Sequence, residues 1–123
     1  MSERAIDFRI FKNVDFPLKT FAEGDVLIAP HSNDAVMYMV KAGLLAVKVG
    51  DTVVEKVGPG EMVGELSLID HGARSAEVYA LQDSVVLAID EAGFLKLIVK
   101  VPHFALVLMR QMAKRIRAMN AKV

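Results

Sequence analysis

Cysteine and tryptophan are both missing from the 123-residue chain. Without cysteine there is no disulfide, no thiolate nucleophile and no cysteine-ligated zinc. A net charge is missing as well, because Lys plus Arg and Asp plus Glu each number 15. Nothing global draws such a chain to nucleic acid or to an anionic membrane. Long apolar runs are also lacking: stretches such as Phe104 to Met109 fall far short of a membrane span. The N-terminus, MSERAIDFRIFKNVDF, carries charges throughout and has no apolar h-region, so it does not read as a secretory signal. These absences fit a cytoplasmic setting with no membrane partner, and that is the expectation.

What remains is apolar. Hydrophobic residues make up 54% of the chain, which excludes a disordered protein. The length suits one domain, here residues 1–123, burying roughly two-thirds of its unfolded surface.

From about Leu18 to Ile89 the sequence is a series of short β-like runs: VLIA (26–29), VMYMVK (36–41), LLAVKV (44–49), TVVEKV (52–57), SAEVYAL (75–81) and SVVLAI (84–89). They are rich in residues that suit a pleated, half-buried surface. Turn signals separate them, at Glu23-Gly24-Asp25, His31-Ser32-Asn33-Asp34, Ala42-Gly43, Gly50-Asp51, Gly58-Pro59-Gly60 and Gln82-Asp83. That spacing favours an antiparallel sandwich or barrel. Gly50-Asp51 reads as a tight hairpin.

From Asp90 onward the texture is helical to about residue 121. Asp90 can cap a short helix through Val99. Val101, placed before Pro102, is pushed out of the helical region, and Pro102 suits the first turn of a second helix. Ala105, Leu108, Met112, Ile116 and Met119 form one apolar stripe. Leu106, Val107 and Met109 add a second, which calls for a second partner: another subunit or a ligand. The first 17 residues give no clear pattern.

One stretch stands apart. Residues 64–76, GELSLIDHGARSA, place an acid, Glu65, and a base, Arg74, among glycines and core-like residues. Gly60 and Gly64 allow close approach of the backbone. A helical turn begun at Glu65 would aim free N–H groups at an anion, and Arg74 offers a guanidinium suited to phosphate oxygens. Glu65 cannot also favour the anion, so it should face a hydroxyl donor. A ribose hydroxyl beside a phosphate satisfies both. Taken singly, each feature has an ordinary reading: dipole compensation at a helix start, a surface ion pair, a simple turn.

Taken together, GELSLIDHGARSAEV resembles the phosphate-binding cassette of the cyclic nucleotide-binding domain, the module of bacterial catabolite activators, kinase regulatory subunits and nucleotide-gated channels. EGDVLIAPHSNDAVMYMVKAGLLAV resembles that family's opening strands, and FLKLIVKVPHFALVLMRQMAKRIR its closing helices. The resemblance covers about residues 18–120. It implies a mainly β fold: an antiparallel β-roll or jelly roll of about eight strands (about 18–89), a short cassette helix and two C-terminal helices (about 90–121). It further implies that Glu65 accepts from the ribose 2′-hydroxyl and that Arg74 pairs with the cyclic phosphate. Gly64, Leu66, Ser67, Ser75 and Ala76 would complete the cradle. Val63, Leu66 and Val78 would form the wall near sugar and base, with Met109, Met112 or Ile116 closing it from the last helix. The implied ligand is cAMP ahead of cGMP. The implied partner is a second copy or another protein engaged through that helix.

The sequence departs from the family at Asn33-Asp34, where glycine often precedes the aspartate, and its last helix has no Trp or Tyr to stack on a base. The activators continue into a helix-turn-helix, whereas this chain ends at Val123, so no DNA-binding domain is expected. Arg110, Lys114, Arg115, Arg117 and Lys122 read as a solvated helix face with cations near its C-terminus, not as a nucleic-acid or lipid patch.

Two other classes compete. A metal enzyme on a similar barrel would need clustered histidines, and His31, His71 and His103 fall in separate segments with no HxH pair. No nucleophile–base arrangement appears, so neither a catalytic step nor a metal is expected. The other alternative is a nucleotide-independent interaction module on the same fold. An intact Glu65 and Arg74 argue against it, and the two-faced last helix argues for it.

Overall fold

The computed structural model describes residues 16–30, 35–65 and 76–120. Residues 1–15 and 121–123 lie outside that set, as do the expected turn at 31–34 and residues 66–75 of the expected cassette.

Eight strands are described: β1 (Leu18–Phe21), β2 (Val26–Ile28), β3 (Val36–Ala42), β4 (Leu45–Val49), β5 (Thr52–Val57), β6 (Met62–Val63), β7 (Glu77–Ala80) and β8 (Ser84–Asp90). Two helices follow, α1 (Glu91–Lys100) and α2 (His103–Asn120). The strands form two four-stranded sheets, ordered β1-β8-β3-β6 and β2-β7-β4-β5, and every pairing is antiparallel. This is the mainly β architecture with C-terminal helices that the run-and-turn pattern suggested. β1 and β6 were not among the six runs read from sequence. β1 is largely exposed and β6 has two residues, so neither carries a periodic signal.

The sheet holding β3 and β8 is covered on both faces. Met37, Met39, Leu87 and Ile89 point to one side and join Met62, Leu97, Phe104 and Leu108 in a core beneath the helices. Tyr38, Val40, Val86 and Ala88 point to the other side and join Ile28, Leu45, Val57, Val63, Val78 and Ala80 between the sheets. A strand buried on both faces has no polar alternation, and this is why VMYMV and VVLAI are continuously apolar.

Local signals set the connections. β4 and β5 meet at Val49↔Thr52, so Gly50-Asp51 is the whole hairpin loop, with Gly50 at φ 59°. The Gly58-Pro59-Gly60 turn is closed from both ends: the Glu61 backbone N–H donates to the Gly58 carbonyl at 3.0 Å, and the Gly58 N–H to Glu61 Oε1 at 2.9 Å. Asp90 caps α1, its Oδ1 accepting from the Gly93 N–H at 2.7 Å. Val101 leaves the helical region at φ −133°, ψ 76°, and α2 begins two residues later.

One expectation is corrected in α2. Leu108 is buried and Ala105 and Met112 half-buried, but Ile116 is 57% exposed. The line that faces the roll is Phe104, Leu108, Gln111 and Arg115, at spacings of four, three and four residues. Past Gln111 this line meets carboxylates instead of apolar core, so the inward residue there is an arginine and Ile116 turns outward. The second apolar face is split: Val107 packs against the core, whereas Leu106 and Met109 are exposed.

Candidate functional site

β6 ends at Val63, and the chain turns at Gly64, whose φ of 85° is a left-handed conformation that glycine adopts without a Cβ penalty. The turn delivers Glu65 into a helical position. Glu65 is only 3% exposed, an unusual setting for a carboxylate, which is almost never buried without a partner.

Its partner comes from the far end of the sequence. Arg115 of α2 donates from Nη1 to Glu65 Oε1. Its Nη2 donates to the Met62 carbonyl at 2.8 Å and lies 3.0 Å from Glu55 Oε1 on β5. One guanidinium thus joins two carboxylates and a backbone carbonyl of β6. Among the described residues, Glu65 uses only Oε1, so one carboxylate oxygen is left for another donor.

Sequence reasoning placed Arg115 on a solvated helix face, and the structure corrects this. Its side chain is about one-fifth exposed, and the buried Glu65 explains why. A signal existed: Arg115 lies on the same helical line as Phe104 and Leu108. What the sequence cannot supply is the pairing, which spans fifty residues.

The remaining expected site residues divide. Val63 and Val78 are both buried in the inter-sheet core, and Val63 immediately precedes the turn that carries Glu65. Ala76 is half-buried, at the last position before β7. Met112 packs against the core under the helices, whereas Met109 is 57% exposed. Leu66, Ser67, Arg74 and Ser75 lie outside the described residues. Among the described residues, no group of His, Asp or Glu is arranged to hold a metal ion.

A glycine turn thus presents a buried, charge-compensated carboxylate, and that carboxylate is tied to the last helix.

Comparison with known proteins identifies the family. The family model described as "Cyclic nucleotide-binding domain" matches residues 18–100. A "Cyclic AMP receptor protein" of Thermus thermophilus is 31% identical over 107 residues, covering 83% of this chain and 50% of that protein. A "cGMP-dependent 3',5'-cGMP phosphodiesterase A" of Dictyostelium discoideum is 32% identical over 79 residues, covering 64% of this chain and 9% of that protein. The chain therefore spans half or less of these relatives. Among solved structures, the catabolite activator protein of Thermus thermophilus superimposes with a TM-score of 0.79 at 26% identity, over 92% of this chain and 60% of that one. The family is a regulatory binding module and not itself catalytic, and this chain belongs to the cyclic nucleotide-binding domain family.

Proposed function

We propose that this protein binds a cyclic nucleotide as a sensor module, with cAMP the expected ligand ahead of cGMP, and that binding is signalled through α2 to a second copy or another protein. Glu65 accepts from the ribose 2′-hydroxyl through its remaining oxygen. Arg74 pairs with the cyclic phosphate, where a bidentate guanidinium is worth more than a point charge. Gly64, Leu66, Ser67, Ser75 and Ala76 complete the cradle with backbone N–H groups and one hydroxyl. Val63 and Val78 back the sugar and base, with Met109 and Met112 as candidates from the helix. The observation that carries this reading is Glu65 itself: a buried carboxylate with one oxygen held by α2 and one oxygen spare.

The link to α2 supports a sensing role. A ligand shifts a helix only if it binds one helix position better than another. A ligand on Glu65 acts on the group that Arg115 holds, so its binding energy reaches α2 directly.

The purine preference is a separate part of the proposal. The similar proteins include a cyclic AMP receptor protein and a cGMP-dependent phosphodiesterase. Isothermal titration of nucleotide-stripped protein with cAMP and then cGMP tests it, with Arg74→Ala as the control. Saturable binding lost in Arg74→Ala supports the reading. Unchanged affinity in that variant would sink the phosphate assignment.

A second reading rests on a separate observation. Leu106, Met109 and Ile116 are exposed along α2, at spacings of three and seven residues. A partner there could be bound without nucleotide. Light scattering of the apo protein, repeated with cAMP, separates the two: a nucleotide-dependent change of mass favours the sensor, and a nucleotide-independent dimer favours the interaction module.

A further inference from the structure

Arg115 has two acidic partners, and only one of them belongs to the proposed nucleotide site. Glu55 lies on β5, an edge strand of the second sheet, and is about one-quarter exposed. It faces Arg115 Nη2 at 3.0 Å, and the same nitrogen donates to the Met62 carbonyl. Nη1 is left for Glu65. Nε is buried and has no hydrogen-bond partner among the described residues.

This division of donors matters for the ligand. A guanidinium free to turn grips a carboxylate with two parallel N–H groups, taking both oxygens. Nη1 and Nη2, side by side at the end of the guanidinium, offer such a fork. Glu55 and the Met62 carbonyl hold Nη2 on the sheet, and in that orientation Glu65 gives up one oxygen and keeps the other.

We propose that Glu55 is a positioning residue for ribose recognition: by holding Arg115 on β5 it prevents the guanidinium from claiming both oxygens of Glu65, and so keeps one oxygen available to the 2′-hydroxyl. The proposal rests on the reading of Glu65 as the ribose acceptor. Glu55 need not touch the ligand. It acts through Arg115, and its removal is felt only by ligands that carry the hydroxyl.

The probes are cAMP and 2′-deoxy-cAMP, titrated calorimetrically into the full chain. In the wild-type protein the hydroxyl should contribute roughly tenfold in affinity or more, as a hydrogen bond to a buried carboxylate does. Glu55→Gln keeps the side-chain shape and removes the charge. It should weaken cAMP binding by about three- to fivefold, the scale of one partly exposed ion pair, and leave 2′-deoxy-cAMP binding unchanged. Glu55→Asp, which restores the charge, should recover part of the loss. In an Arg115→Gln background, Glu55→Gln should have no further effect, because the group it positions is gone.

The outcomes separate the two levels. If the wild-type protein binds neither nucleotide, the functional reading falls and the role of Glu55 with it. If it binds cAMP but Glu55→Gln weakens both ligands equally, or neither, the positioning role is overturned and the functional reading stands. An equal loss in the Arg115→Gln background would also overturn it, since Glu55 would then act by another route.

Discussion

Arg115 on the last helix donates to Glu65, fifty residues earlier, and thereby fixes the end of α2 to the turn that opens the candidate site. Burying Glu65 is tolerable only because that guanidinium is there. Arg115→Ala should strand the carboxylate and destabilise the fold by about 2 kcal/mol, below the range for fully buried pairs because Arg115 and Glu55 retain some solvent. Arg115→Ala,Glu65→Gln should recover a good part of that loss. Chemical denaturation of the three proteins checks this. A double variant no better than the single one would show that the pair is not coupled.

Gly43 lies against Ser84 with no room for a side chain. A Cβ there would sit 2.6 Å from the Ser84 Cα and 2.7 Å from the Asp83 carbonyl oxygen, and Gly43 has φ 103°. Ser84 is buried, with its hydroxyl donating to the Gln82 carbonyl at 2.8 Å and accepting from the Leu44 N–H at 3.2 Å, so it cannot move aside cheaply. Gly43→Ala should cost about 3 kcal/mol or more, since strain and overpacking add. Gly24, also at positive φ but with open space around it, should tolerate alanine at about 1 kcal/mol. Equal losses at the two positions in thermal unfolding would refute this account of Gly43.

Phe104 joins the helices to the sheet. It is fully buried and meets Phe94 edge-on, with ring centroids 6.1 Å apart. Phe104→Ala should lose about 3–5 kcal/mol, as large cavities in cores do. Leu106→Ala, on the open face of the same helix, should cost well under 1 kcal/mol in the monomer. A substantial loss at Leu106 that grows with protein concentration would mean that this face is covered in solution.

Gln111 is 3% exposed, and among the described residues neither its amide nitrogen nor its amide oxygen has a partner. A buried amide left unsatisfied costs free energy, so an apolar residue of similar shape should be preferred. Gln111→Met should raise stability by about 1 kcal/mol. A loss of stability instead would mean that the amide has a partner in solution.

Much of this fold is legible in the sequence, and the reason is periodicity. TVVEKV gives β5 residue for residue, Gly50-Asp51 gives its hairpin, and Asp90 marks the start of α1. Each is a local signal, set by residues a few positions apart. The site is legible differently. Gly64 and Glu65 stand out because a glycine and an acid are odd within a core-like run. Arg115 does not stand out, because it is one cation among several on a basic helix. Its role depends on which side of α2 faces the roll and on where β5 and β6 lie beneath it. Ile116 was misplaced for the same reason. The apolar stripe predicts the helix, but the tertiary contact decides its rotation.

The central claim is that the turn at Gly64 and Glu65 is a working cyclic nucleotide site. Its most direct test is calorimetric titration of cAMP into nucleotide-stripped wild-type protein and into Glu65→Gln. The account predicts saturable binding near one nucleotide per chain in the wild type, weakened roughly tenfold or more when the buried carboxylate loses its charge. Absence of binding in the wild type, or equal affinity in the two proteins, would contradict it.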